Sequence, residues 1–210
     1  MGERSRSRLV GRVAFVAAMA VALAACGDDT GAAGTTFTGI VREPAPVVGE
    51  NTVPSLTEPG EDVEFRAPPG GLQVVYFGFT NCPDVCPTTL ADLTIALRKL
   101  PDDLADRVET VMVTVDPERD LAVLPEYVRS FVPDAVAAGT EDDATLRAAA
   151  EPFGVTYDVR TLDDGTVEVD HTPFLYAVDD QGELALTWQF GASSDDMAAD
   201  MRALLEGDRA

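Results

Sequence analysis

The sequence predicts a three-layer α/β sandwich, and three observations carry that reading. Residues 72–79 and 108–115 are near-continuous apolar runs of strand length, as in strands buried on both faces. Segments of helical spacing alternate with them, the βαβα order of a sheet covered on two sides. Farther along, a hairpin signal and two more strand-like runs lead into a terminal helix.

Residues 37–69 are rich in Pro, Gly and Glu. They read as an irregular N-terminal extension with one hairpin over 56–65, turned at Pro59-Gly60. After the strand at 72–79, Leu90, Leu93, Leu97 and Leu100 form one stripe of a helix over 88–100, with Pro87 suited to its first turn. The strand at 108–115 runs into Asp116-Pro117-Glu118-Arg119-Asp120, a loop with a turn signal. A helix over 121–131, a short strand over 136–138 and a helix over 141–153 follow. Asp163-Asp164-Gly165 turns a hairpin between 157–162 and 166–169. Strands over 174–178 and 184–190 are separated by Asp179-Asp180-Gln181-Gly182. Ser193 is an N-cap for a last helix through Leu205. Met112, Met197, Met201 and Trp188 fall within these patterns and read as core.

The first residues have another logic. Arg4, Arg6, Arg8 and Arg12 precede an apolar run, 13–25, which as a helix would be about 20 Å long, short of a bilayer's hydrocarbon core. A signal peptide over residues 1–25 is therefore expected, not a membrane span. The run ends Leu23-Ala24-Ala25-Cys26-Gly27, which resembles a bacterial lipobox and makes Cys26 the expected lipidation site. Residues 26–36 read as a flexible, lipid-anchored tether and 37–210 as the folded domain. The expected location is the extracytoplasmic face of the cell membrane. The formal net charge is −22, and removal of residues 1–25, with four arginines and one glutamate, takes it to −25. So acidic a surface argues against nucleic acid and anionic headgroups as partners.

Chemistry concentrates in Cys82-Pro83-Asp84-Val85-Cys86-Pro87 and in His171, the single histidine. The thiols lie four apart where a strand feeds a helix. A disulfide between them would close a very short loop and restrain the unfolded chain little, so function is favoured over a staple. Two sulfurs and an imidazole suit copper; the same thiols suit redox exchange. Asp170 is a candidate acceptor for the imidazole, or simply solvated. Asp84 is a candidate oxygen ligand or helix cap, and Asp116 and Asp120 either contact a partner or hold their loop by ion pairing.

Residues 76–90, YFGFTNCPDVCPTTL, together with Val115-Asp116-Pro117-Glu118-Arg119-Asp120 and Val169-Asp170-His171-Thr172, resemble the signature of the Sco/SenC family, in order along residues 70–205. The resemblance implies a thioredoxin-like fold with an inserted β-hairpin, membrane tethering, and delivery of copper to the dinuclear centre of cytochrome c oxidase. It implies Cys82, Cys86 and His171 as the copper ligands, and the copper-bearing oxidase subunit as partner, beside another copper chaperone or a thiol reductase. Asn81 stands where many relatives carry another polar residue, often histidine. Thr172-Pro173 is similar to the Thr-Pro beside the active site of thioredoxin-like oxidoreductases. The alternative is a thiol–disulfide oxidoreductase that keeps the oxidase's copper-ligand cysteines reduced; a third class is a copper sensor or store.

Overall fold

The computed structural model describes Met1 and residues 36–207. The leader, Cys26 and the tether as far as residue 35 lie outside the described residues. A five-stranded mixed sheet organises the rest, in the order β5-β4-β3-β8-β9. Its strands are β3 (Leu72–Gly78), β4 (Val108–Thr114), β5 (Val136–Ala138), β8 (Leu175–Val178) and β9 (Leu184–Trp188). β3, β4 and β5 run parallel, with Tyr76 beside Met112 and Met112 beside Ala137. β8 and β9 complete the sheet in antiparallel fashion.

The two faces of β3 bury different things. Tyr76 and Gly78 face the side where α1 (Val85–Arg98) and α6 (Ser194–Glu206) pack together. Phe77 faces an aromatic cluster on the other side. There Phe153 meets Phe65, Phe77 and Tyr176 edge-on at centroid distances of 5.1–5.2 Å, geometry that aromatic quadrupoles favour. Phe153 ends a 3₁₀ turn that extends α5 (Asp143–Ala150). Helices therefore cover both faces, and the three-layer α/β sandwich is observed. Two short helices, α2 (Asp102–Ala105) and α3 (Pro117–Asp120), and the six-residue α4 (Leu124–Arg129) fill the crossovers.

Two hairpins stand outside the sheet. β1 (Thr52–Pro54) pairs with β2 (Asp62–Glu64), and β6 (Tyr157–Thr161) with β7 (Val167–His171). The first is displaced from the expected 56–65: the Ser55 hydroxyl accepts from the Thr57 and Glu58 N–H groups, bending the chain where a strand arm was expected. The second extends farther than expected, because Tyr157 pairs with His171 and makes the histidine a strand residue. α1 starts three residues before the expected 88, with Asp84 at the N-cap. The 116–120 segment is a helical turn, not a loop, and the 121–131 helix shortens to α4, with Pro125 in its first turn. Ser193 caps α6 as expected, accepting from the Asp196 N–H at 3.1 Å. Met112, Met197, Met201 and Trp188 are all buried core residues.

Candidate functional site

Cys86 and His171 meet near the C-terminal end of β3, with Cys82 against the Cys86 backbone. Strand, short loop and helix start follow one another there, so the 79–86 segment places its sulfurs above the sheet. Asp120 fixes the root of that loop. This fully buried carboxylate accepts from the Thr80 N–H at 2.9 Å, the Thr80 hydroxyl at 2.5 Å and the Thr114 hydroxyl at 2.7 Å. Asp116, also buried, pairs with Arg119. Ion pairing and internal hydrogen bonding thus account for both carboxylates, and the partner-contact alternative has no exposed oxygen to stand on. Asn81 is exposed.

Cys82 is half-buried and Cys86 fully buried; neither is in a disulfide. The Cys86 N–H, in the first turn of α1, donates to Cys82 Sγ at 3.2 Å. A sulfur thus takes the capping role, and Asp84 makes no side-chain capping bond. Cys86 lies deeper, fully buried at the start of the helix. Burial pushes its thiol up to about 12, against smaller opposing effects from the Phe79 backbone and Tyr76.

His171 faces Cys86, with Nε2 3.6 Å from Cys86 Sγ. Its other nitrogen, Nδ1, lies 3.1 Å from the Thr172 carbonyl oxygen. A proton on Nδ1 donated to that carbonyl leaves the Nε2 lone pair directed at the sulfur side. The ring is edge-on to Phe79 at 5.6 Å and to Tyr76 at 6.1 Å. Burial in this aromatic setting holds the imidazole below its ordinary pKa, hence neutral, the form that ligates. Asp170 points to the opposite face of β7 and pairs with Arg160 at 2.5 Å, so it does not orient the ring.

The spacing fits a metal. Metal–sulfur and metal–nitrogen bonds of about 2.3 and 2.0 Å at a tetrahedral angle separate the two donors by roughly 3.5 Å. Cys86 and His171 already stand at that separation. Cys82 completes no cluster as it stands: among the described residues, no three His, Cys, Asp or Glu side chains are gathered tightly enough to hold a metal ion.

Sequence reasoning missed Tyr76, which it absorbed into a buried strand. Its hydroxyl, fully buried, lies beside Cys86 and Thr89 but makes no well-formed hydrogen bond. The available signal was Tyr76 two residues before Gly78, a large ring and an empty place on one face of the strand. A Cβ at Gly78 would sit 2.6 Å from Tyr76 Cε1, so the ring lies over the glycine.

Relatives share this arrangement of strands. An SCO2-like protein of Rickettsia prowazekii is 36% identical over 116 residues, 54% of this chain and 56% of that one. The chain thus spans about half the length of the curated relatives it matches. The solution structure of apo Sco1 from Thermus thermophilus superposes with a TM-score of 0.64 at 34% identity, covering 80% of this chain and 97% of that one. ScoI of Bradyrhizobium japonicum, solved with copper bound, gives 0.61 at 29% identity, over 72% of this chain and 95% of that one. The mixed sheet and added hairpin are those of the thioredoxin-like Sco structures. The SCO1/SenC family model matches residues 54–206, most of the folded region, and the chain belongs to the SCO1/SenC family.

Proposed function

We propose that this protein binds copper through Cys82, Cys86 and His171 and delivers it to the dinuclear copper site of cytochrome c oxidase. The observation that carries the proposal is the approach of His171 Nε2 to Cys86 Sγ at ligand–ligand spacing, with a neutral imidazole. Cu(I) favours soft sulfur, and an added nitrogen lets the same site hold Cu(II). Cys82 joins by leaving the Cys86 N–H and turning inward, a side-chain rotation at a half-exposed position. Copper is cargo here, passed on as ligands of the receiving subunit replace the chain's own, starting with the accessible Cys82. The Bradyrhizobium relative with copper bound supports the reading.

One observation favours a second reading, a thiol–disulfide oxidoreductase acting on the oxidase's copper-ligand cysteines. A half-exposed sulfur at a helix start with a buried partner is the usual division between attacking and resolving thiols. Copper titration of the reduced domain separates the two. One copper per chain is expected, lost in Cys82→Ser and in Cys86→Ser. In His171→Ala, Cu(II) binding should fall sharply while thiol–disulfide exchange persists, and oxidase maturation should fail in cells. Normal maturation by the His171 variant would hand the role to the reductase reading.

Anchoring belongs to the same proposal. No helix among the described residues is long and apolar enough to cross a membrane. Lipid on Cys26 would hold the domain at the extracytoplasmic face, and two acyl chains suffice where one is marginal. Metabolic labelling should put lipid on the wild-type chain and none on Cys26→Ala; an unlabelled wild type refutes the anchor.

A further inference from the structure

We infer that the Tyr76 hydroxyl is a hydrogen-bond donor held in reserve for the Cys86 sulfur when that sulfur becomes a thiolate. The inference rests on the reading above that Cys86 is one of the working sulfurs. Tyr76 would be a positioning and tuning residue, acting through the sulfur.

The first support is an unmet hydrogen bond. The Tyr76 side chain is wholly buried and its hydroxyl makes no hydrogen bond of good geometry, although Cys86 and Thr89 lie beside it. Such a group costs on the order of 1–3 kcal/mol, and native structures keep few of them. A phenylalanine would fill the same space without that cost. The second is what surrounds the oxygen. Its polar neighbours are Cys86 and Thr89. Thr89 Oγ1 donates to the Val85 carbonyl at 2.9 Å and keeps lone pairs, but the Tyr76 hydroxyl is not placed to reach them with good geometry, and a neutral thiol is a weak acceptor. A thiolate, free or metal-bound, is a strong one. The hydroxyl is therefore unsatisfied in the resting dithiol and satisfied when charge develops on Cys86.

The third support is that the chain gives up a side chain to keep the ring there. Gly78 leaves the space through which Tyr76 passes: a Cβ would meet Tyr76 Cε1 at 2.6 Å and Met112 Cε at 3.2 Å. The same ring is edge-on to His171, so it borders both groups that face each other across the site. Tyr127 adds a parallel case. Its hydroxyl is also buried without a partner, and the charges that act on it are those of Cys86, Cys82 and Asp120.

In thiol exchange the donor would act on a leaving group. Glutathione thiolate attacks the more accessible Cys82 sulfur of the oxidised pair. The bond between Cys82 and Cys86 breaks, its electron pair passes to Cys86 Sγ, and a mixed disulfide forms at Cys82. A hydrogen bond from Tyr76 to the departing sulfur speeds that step, since better-stabilised thiolates leave faster. In copper binding the same bond stabilises the deprotonated form of the ligating sulfur, so its proton is displaced more easily when the metal enters.

The test is Tyr76→Phe in the soluble domain, read three ways. Reduction of the oxidised, metal-free protein by glutathione should slow at least about fivefold. Cu(I) affinity, measured by competition with a chromophoric chelator, should drop roughly tenfold or more. Urea unfolding of the reduced, metal-free protein should show stability unchanged or raised, because an unsatisfied hydroxyl is gone. Tyr176→Phe is the control: its hydroxyl is equally buried and unpartnered, but on the opposite face of the sheet. It should leave both sulfur readouts unchanged. Sulfur readouts within twofold of wild type in Tyr76→Phe would overturn the inference. So would a parallel loss of stability, which a merely structural hydroxyl predicts. If wild type binds no copper, the copper reading fails, and the glutathione rate still decides the role of Tyr76.

Discussion

Removal from water acts on Cys86 and His171 in opposite chemical senses but toward the same end, neutrality. The thiol is pushed up to about 12 and the imidazole is pushed down, in both cases chiefly by burial. The resting site is thus a thiol beside a free base, and a metal entering it must displace a proton from sulfur. A pH dependence follows for the metal-free fold. The unfolded chain has an ordinary imidazole, about 6.5, and the folded chain a lower one. Between those values the unfolded state binds more protons, so stability rises with pH. The contribution of His171 is complete above the unfolded value and is lost as pH falls through the folded one. Urea melts from pH 5 to 7.5 on wild type and His171→Gln should diverge in that sense, with wild type losing relatively more toward acid. Parallel curves, or relative gain by wild type at low pH, would contradict the buried, neutral imidazole.

Among the elements, legibility followed how much of the signal was local. The strands at 72–79 and 108–115 were readable to within a residue, because each is a largely apolar run of strand length that stops where polar loop residues begin. The N-terminal hairpin was misplaced because a side-chain hydroxyl, Ser55, competes for the backbone, and composition does not reveal which acceptor wins. The start of α1 was read late for a similar reason: the cap is a cysteine sulfur, which no propensity rule favours. At the site, residue types alone identified two sulfurs and one imidazole, and the family resemblance grouped them. That Cys86 and not Cys82 faces His171 was not legible, since it depends on β8 lying beside β3 and on the hairpin that precedes β8. Tyr76 was hidden by its success as a core residue. An apolar run shows that a ring is buried, not that its oxygen lacks a partner.

At the scale of the molecule, the N-terminal extension guards both edges of the sheet. Ile40 and Thr187 exchange backbone hydrogen bonds at 2.8 and 3.0 Å along β9, while the Leu56 N–H reaches the Ala137 carbonyl and the Gly139 N–H reaches Pro54 beside β5. Exposed strand edges invite pairing with other chains, so the segment acts as built-in protection. One carboxylate fastens its beginning. Asp200, on α6 and buried, accepts from the Thr38 N–H at 3.0 Å, the Thr38 hydroxyl at 2.7 Å, the Gly39 N–H at 2.8 Å and Trp188 Nε1 at 2.9 Å. Gly39 must be glycine-sized for this, since a Cβ would meet Trp188 Nε1 at 2.9 Å. In a chain with 37 acidic residues, Asp200 serves inward, as an acceptor for backbone and indole. Asp200→Ala strands those donors and should cost on the order of 3 kcal/mol in urea unfolding. Trp188, the single tryptophan, reports the change by fluorescence. The loss should begin at the strap: amide exchange at Ile40 and Thr187 should accelerate well beyond that of β3 and β4, because local release precedes global unfolding. A cost below about 1 kcal/mol, with exchange at Ile40 unchanged, would mean that packing against β9 holds the extension and that the carboxylate is incidental.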